Sequence, residues 1–170
     1  MTPVSRGPVL PRAFYARPAV EVARGLLGKV LLLEGRGGRI LEVEAYLPEG
    51  DEAAHAWRGR TARTEVLFGE PGHAYVFFVY GMHHCLNVAV EPAGTPGCVL
   101  IRAVEGIGDG PGKVTRALGI TRELNGCDLT RGPLTIHRPA RRVPLAIETT
   151  PRIGIRRSAG LPLRFAVRPR

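Results

Sequence analysis

A chain of 170 residues, 44% hydrophobic and with a formal charge of +9, can bury one sizeable core but is short for two domains. It has no apolar run approaching the roughly 18 residues of a membrane span, and Met1-Thr2-Pro3-Val4-Ser5-Arg6 lacks an apolar signal region, so a cytoplasmic protein is expected. Cys85, Cys98 and Cys127 are odd in number and form no C-x-x-C pair, which argues against a disulfide framework or zinc ribbon and for packed thiols. Among 24 basic residues only Lys29 and Lys113 are lysines, and beyond Asp128 a single acid, Glu148, stands among the arginines from Arg131 to Arg170. That distribution implies a polyanionic partner. Nucleic acid ranks ahead of membrane, because no basic amphipathic helix is evident.

Taken in order, residues 1–12 read as an irregular lead-in. Pro18 at a helix start, Val22, Leu26 and Leu27 at helical spacing, and Gly28 past the end predict a short helix. Residues 29–34 read as a strand, 35–38 as a turn and 38–47 as a second strand, together a hairpin. A loop follows at 48–52, and residues 53–59 have no clear period. Residues 64–68 suggest a short helix capped by Thr64. The aromatic run 74–82 predicts a buried strand ended by Gly81, and 83–90 and 98–104 continue it as an antiparallel meander. The glycine-rich segment 106–115 opens a helix that runs through Leu118. It is not a Walker A loop, because Val114 stands where Ser or Thr must bind magnesium. The amides at Gly112 and Lys113 either grip a phosphate or form an ordinary capped turn. Short strands are expected at 129–136, 146–155 and 163–167.

The segment 38–55 holds an unusual concentration of acid for a basic chain: Glu42, Glu44, Glu49, Asp51 and Glu52. On a strand, Glu42 and Glu44 are two apart and share a face. Two carboxylates beside Tyr46 and followed by His55 suit an acid/base site, and alternation alone leaves Glu42 and Glu44 as rival bases.

The run Glu44-Ala45-Tyr46-Leu47 with His55 beyond it, Tyr75-Val76-Phe77-Phe78-Val79-Tyr80-Gly81-Met82 ending at Asn87, and Val99-Leu100-Ile101-Arg102-Ala103 together resemble the alkyladenine (3-methyladenine) DNA glycosylase family, in its bacterial type. Gly110-Pro111-Gly112-Lys113, Arg152-Ile153-Gly154-Ile155 and Pro162-Leu163-Arg164-Phe165 extend the likeness in the same order. It covers most of residues 11–168. The resemblance implies a single α+β domain over residues 1–170, built around a curved, mainly antiparallel β-sheet with short flanking helices. It also implies excision of damaged purines from double-stranded DNA without a cofactor, a metal or an obligate protein partner, by a monomer.

By the same likeness Glu44 is the base that activates water and Arg102 helps to hold Glu44 and the water. Tyr46 and His55 sandwich and hydrogen-bond the flipped base, with Phe77 on the opposite side. Asn87 crowds the exocyclic amine of a normal guanine, and Ile153 offers its carbonyl to the water. Tyr80 and Met82 intercalate, and Gly112 and Lys113 meet the DNA backbone. The sequence departs from the pattern at Phe77, where vertebrate relatives carry Tyr, at His83 and His84, where aromatic residues are usual, and in stopping at Arg170. These departures bear on lesion range.

The chemistry is coherent on its own terms. A base inside a duplex must be extruded to be reached, and a rigid aromatic wedge such as Tyr80 fills the gap it leaves. Glycosidic cleavage develops an oxocarbenium-like sugar, so one carboxylate can both stabilise it and deprotonate water, with Arg102 holding Glu44 ionised. Only two lysines are available for Schiff-base chemistry, so the expected enzyme is monofunctional and leaves an abasic site. Two alternatives belong to other classes. One is a metal-dependent nuclease using Glu42, Glu44, Asp51 and His55, and the other is a non-catalytic nucleic-acid-binding module.

Overall fold

The computed structural model describes residues 4–169; residues 1–3 of the expected lead-in and Arg170 of the basic tail lie outside the described residues. The lead-in is not irregular: Arg6–Val9 forms β1, an edge strand paired antiparallel with residues 137–139. Gly7 and Pro8 give it no strand signal of its own, and an edge position is where Pro is tolerated. Two short helices follow, α1 (Arg12–Tyr15) and α2 (Ala19–Leu26), the second with Pro18 at its cap and Val22, Ala23 and Leu26 buried.

β2 (Val30–Leu33) and β3 (Arg36–Tyr46) form the predicted hairpin, but its turn is tighter than expected. Only Glu34 and Gly35 lie between the paired Leu33 and Arg36, with φ of +50° and +82°. Two positive φ values mark the twisted turn that suits a two-residue hairpin. A 3₁₀ turn at His55–Arg58 and α3 (Glu65–Phe68) come next. Thr64 precedes α3 but does not cap it through its side chain; its hydroxyl donates to the Gly59 carbonyl at 3.2 Å instead. β4 (Ala74–Val79), β5 (His83–Val90) and β6 (Gly97–Val104) make the meander, followed by β7 (Gly108–Asp109) and α4 (Pro111–Leu118). β8 (Leu134–Pro139) starts later than expected. The Asp128 side chain accepts from the backbone N–H and the hydroxyl of Thr130 at 2.9 and 2.6 Å, which holds that stretch in a turn. β9 (Ile147–Thr150) and β10 (Arg164–Val167) close the chain.

The architecture is α+β, one 10-stranded antiparallel sheet with the main path β1-β8-β2-β3-β6-β5-β4. β3 organises it. Along one edge residues 36–39 pair with β2 and residues 42–44 with β10, while the other edge pairs with β6. The β3–β6 register shifts on both sides of Glu42, and such irregularity bends a strand. α2 packs on β3 and β6, and α4 on β5 and β6. Ile40, Val43, Ala45, Val88, Val99 and Ile101 belong to the core under these helices. Each large aliphatic residue buried there contributes about 1.5–3 kcal/mol before chain entropy is counted. A second, smaller cluster of Ala56, Leu67, Tyr75, Ala89 and Cys98 lies apart from it, and Tyr46 and Phe77 pack on it.

Candidate active site

Alternation sends Val43 and Ala45 into the helix-side core and leaves Glu42, Glu44 and Tyr46 on the other face of β3. The strand register then builds a site there. Glu44 pairs with Leu100, Leu100 with Asn87 and Asn87 with Tyr75, one row across four strands. Residues paired in this way project on the same face, as do those two positions along. Tyr46 and Cys98 form the next row, and Phe77 pairs with Cys85 on the other flank. The result is a cavity of about 350 Å³ lined by Glu44, Tyr46, His55, Tyr75, Phe77, Tyr80, Asn87, Arg102 and Ile153, among others. A larger cleft of about 1040 Å³ around Leu41, Glu105 and Leu145 has no aromatic wall and only one carboxylate. The smaller cavity is the one that brings a buried carboxylate and aromatic rings together.

Glu44 is fully buried at its floor. One carboxylate oxygen accepts from the Ile153 backbone N–H at 2.8 Å; the other accepts from the Tyr46 hydroxyl at 3.1 Å and has an Arg102 guanidinium nitrogen at 3.6 Å. It is therefore the N–H of Ile153 that engages Glu44. Glu42 differs in kind. Arg102 and Arg164 donate to it at 2.8 and 2.7 Å, and its side chain remains 18% exposed. Burial alone would raise its pKa, but the hydrogen bonds from Arg164 and Arg102 outweigh burial and hold it below its ordinary value.

The aromatic wall is arranged differently from the expectation. Phe77 is not opposite His55: their ring centres are 4.4 Å apart, with Tyr75 5.3 Å from Phe77, so all three share one wall. Adjacent placement follows from Tyr75 and Phe77 being two apart on β4. Tyr75, a functional candidate that periodicity alone concealed in an apolar run, meets His55 Nδ1 at 2.9 Å through its hydroxyl. Burial, chiefly, pushes that hydroxyl up to about 12. No other acceptor for its proton appears among the described residues, so we assign Tyr75 as donor to Nδ1 and the imidazole hydrogen to Nε2. His55 is depressed below its ordinary pKa by partial desolvation against this wall and by nearby Arg63, so it is neutral at pH 7.

Tyr46 carries the Arg152 guanidinium 4.6 Å from its ring centre. Arg152 in turn donates to both oxygens of Asp51, at 2.6 and 2.8 Å, with both side chains fully buried. Asn87 is buried, donates to the Tyr75 carbonyl at 3.3 Å and has the Cys98 sulfur 3.8 Å from its amide oxygen. Tyr80 and Met82 sit at the tip of the β4–β5 hairpin, 85% and 74% exposed. The Tyr80-Gly81 pair has φ of +53° and +63°, closed by the Met82 N–H donating to the Val79 carbonyl at 2.9 Å. Gly112 packs so closely on His83 that an added Cβ would come within 2.8 Å of the ring. Neither Gly112 nor Lys113 lines the cavity, and Lys113 binds Asp109 at 2.7 Å.

The nuclease ligand set does not assemble. Glu42 is held by Arg102 and Arg164, Asp51 by Arg152, and His55 by Tyr75. Among the described residues no group of three or more metal-binding side chains converges.

The model of the methylpurine-DNA glycosylase family matches residues 13–109 and 105–170. The chain belongs to that family. Its relatives include a protein of Methanoculleus marisnigri, 46% identical over 180 residues, spanning 92% of this chain and 93% of its own. One from Myxococcus xanthus is 48% identical over 159 residues, 86% and 81% of the two chains, and one from Rhodopseudomonas palustris strain BisB5 is 45% identical over 185 residues, 98% and 90%. All three carry the provisional name 3-methyladenine DNA glycosylase. The protein is thus a DNA glycosylase, a hydrolase of N-glycosyl bonds. The glycosylase has no helix long and apolar enough to cross a membrane among the described residues.

Proposed function

We propose that this glycosylase flips a damaged purine from double-stranded DNA into the cavity and hydrolyses its glycosidic bond with water activated by Glu44. The observation that carries this reading is the burial of Glu44 with donors on both oxygens. A carboxylate so held is aimed before the substrate arrives, and aiming is what converts a carboxylate into a base. Glu42, with two arginines donating to one of its oxygens and its side chain partly exposed, is the lesser candidate.

In the reaction the bond from C1′ to the purine nitrogen breaks and the base leaves with the electron pair. A water oxygen bonds to C1′, and its proton passes to Glu44. A cationic alkylpurine departs neutral. A deaminated purine must gain a proton as it leaves. Arg102 holds Glu44 from the side, and Ile153 fixes its second oxygen through the N–H while its carbonyl accepts from the water. The base stacks between Tyr46 and the His55–Phe77 wall, with His55 Nε2–H as a donor to it. Asn87 crowds a guanine amine. Tyr80 and Met82 enter the helix where the base has left, and the start of α4 at Gly112 and Lys113 meets backbone phosphate. One lesion requires one site, so a monomer acting on chromosomal DNA suffices.

Glu44→Gln tests the assignment. Lesion-duplex binding should persist while single-turnover base release falls by about 10²–10⁴-fold, the usual worth of a general base. Release within a few-fold of wild type would remove Glu44 from the role.

A further inference from the structure

A second cleft, of about 760 Å³, shares no lining residue with the lesion cavity and opens on the helix side of the sheet, beside Phe14 and Gly25. Its cations are Arg17, Lys29, Arg39, Arg138, Arg141 and Arg142, and no acidic side chain lines it among the described residues. Arg39 alone is neutralised, by a two-point pair with Glu105 at 2.8 and 2.9 Å. Arg17 is fixed by donating to the Phe14 carbonyl at 2.9 Å and lies 4.6 Å from the Phe14 ring centre. Lys29 donates to the Gly25 carbonyl at 2.7 Å. Arg138, Arg141 and Arg142 are exposed and have no carboxylate partner among the described residues.

Gathering five uncompensated cations destabilises the free protein through like-charge repulsion. Lys29 records it: its pKa is lowered first by burial and then by Arg142, Arg138 and Arg17. An arrangement of this kind is relieved by an anion. The three open guanidiniums form no enclosed cradle for a small one; they suit a chain of phosphates lying across them.

We propose that this cleft binds the phosphate backbone of a second DNA segment while the lesion cavity faces the first. The inference rests on DNA being the substrate and is independent of which carboxylate activates water. Holding two segments on opposite faces lets the glycosylase pass from one duplex to another without first dissociating.

The test uses the full chain, a short lesion duplex at saturation and a fluorescent undamaged duplex. Wild type should take up the second duplex. If three phosphates are neutralised, log affinity should fall with log salt at a slope of about −2.7. The chase-driven release of the first duplex should speed up with chase concentration. The variant R138Q/R141Q/R142Q should lose the second duplex by about tenfold or more and lose the chase dependence, with single-turnover excision from the short duplex unchanged. Loss of affinity for the first duplex by the same factor would show a single footprint and overturn the proposal. So would failure of wild type to form the ternary complex. Inorganic tripolyphosphate supplies the small-anion arm: one-to-one binding that undamaged duplex cannot displace would assign the cleft to a free polyphosphate instead.

Discussion

Asp51 and Arg152, 101 positions apart, form a fully buried ion pair whose guanidinium also lies 4.6 Å from the ring centre of Tyr46 and donates to the Ala45 carbonyl at 3.0 Å. The pair thus binds three parts of the site at once: the acidic loop, the end of β3, and the strap of residues 151–163 between β9 and β10, in which the residue after Arg152, Ile153, donates its N–H to Glu44. Removing one partner leaves a buried charge uncompensated, which typically costs about 3–5 kcal/mol. Asp51→Asn and Arg152→Met should each destabilise by that order in urea unfolding. The double variant Asp51→Leu/Arg152→Met should recover part of the stability without recovering excision, because Tyr46 and Ile153 lose their anchor. Full recovery of excision would mean that the pair serves folding alone.

Glu42 and Asp128 should make the fold sensitive to acid. Both have pKa values held below their ordinary 4.5 and 3.8: burial opposes this in each case, and hydrogen bonds outweigh it, from Arg164 and Arg102 for Glu42 and from Thr130 and Arg12 for Asp128. A depressed carboxylate contributes stability that is complete above its unfolded pKa and is lost as pH falls through the folded one. Stability should therefore hold down to about pH 5 and decline below 4.5. Glu42→Gln should be less stable than wild type at pH 7, and the gap should close in acid. A gap that stays constant from pH 7 to pH 3 would rule out this linkage.

At the hairpin tip, Tyr80 occupies a left-handed conformation that an ordinary side chain adopts at a cost of roughly 1–2 kcal/mol. Tyr80→Asn creates Asn-Gly, the pair such turns favour. Thermal stability should rise or stay level while the lifetime of the lesion complex falls. A variant that keeps full lesion retention would show that the ring does not enter DNA.

The two lysines are badly placed for covalent catalysis. Lys29 lies in the cleft on the helix side, and Lys113 is paired with Asp109; neither lines the lesion cavity. Borohydride added during turnover should trap no adduct with DNA. A trapped species that disappears on replacing either lysine would establish strand-nicking chemistry.

The meander was legible because its strands are continuous apolar runs punctuated by glycine: β5 falls on residues 83–90 as alternation and apolarity alone indicate. β1 was not, since an edge strand of Arg, Gly, Pro and Val is decided by its partner β8. The choice between Glu42 and Glu44 also lay outside local pattern. Both share a face, and what separates them are Arg102, Ile153 and Arg164, which arrive from 60 or more positions away. Part of the basic tail was misleading in the same way. Arg152 and Arg164 are consumed by internal carboxylates, so they add to the charge count without facing a partner. Tyr75 could have been found: it shares parity with Phe77 and is opposite Asn87.

β10 pairs with β3 alongside Glu44, and the strap before it delivers Ile153 to the carboxylate. The consequence is temporal. A growing polypeptide that has released β3 to β6 from the ribosome already carries Glu44, Tyr46, His55 and Arg102, yet it cannot complete the floor of its own pocket. The Glu44 carboxylate therefore gains its backbone donor only once Ile153 has left the ribosome as well.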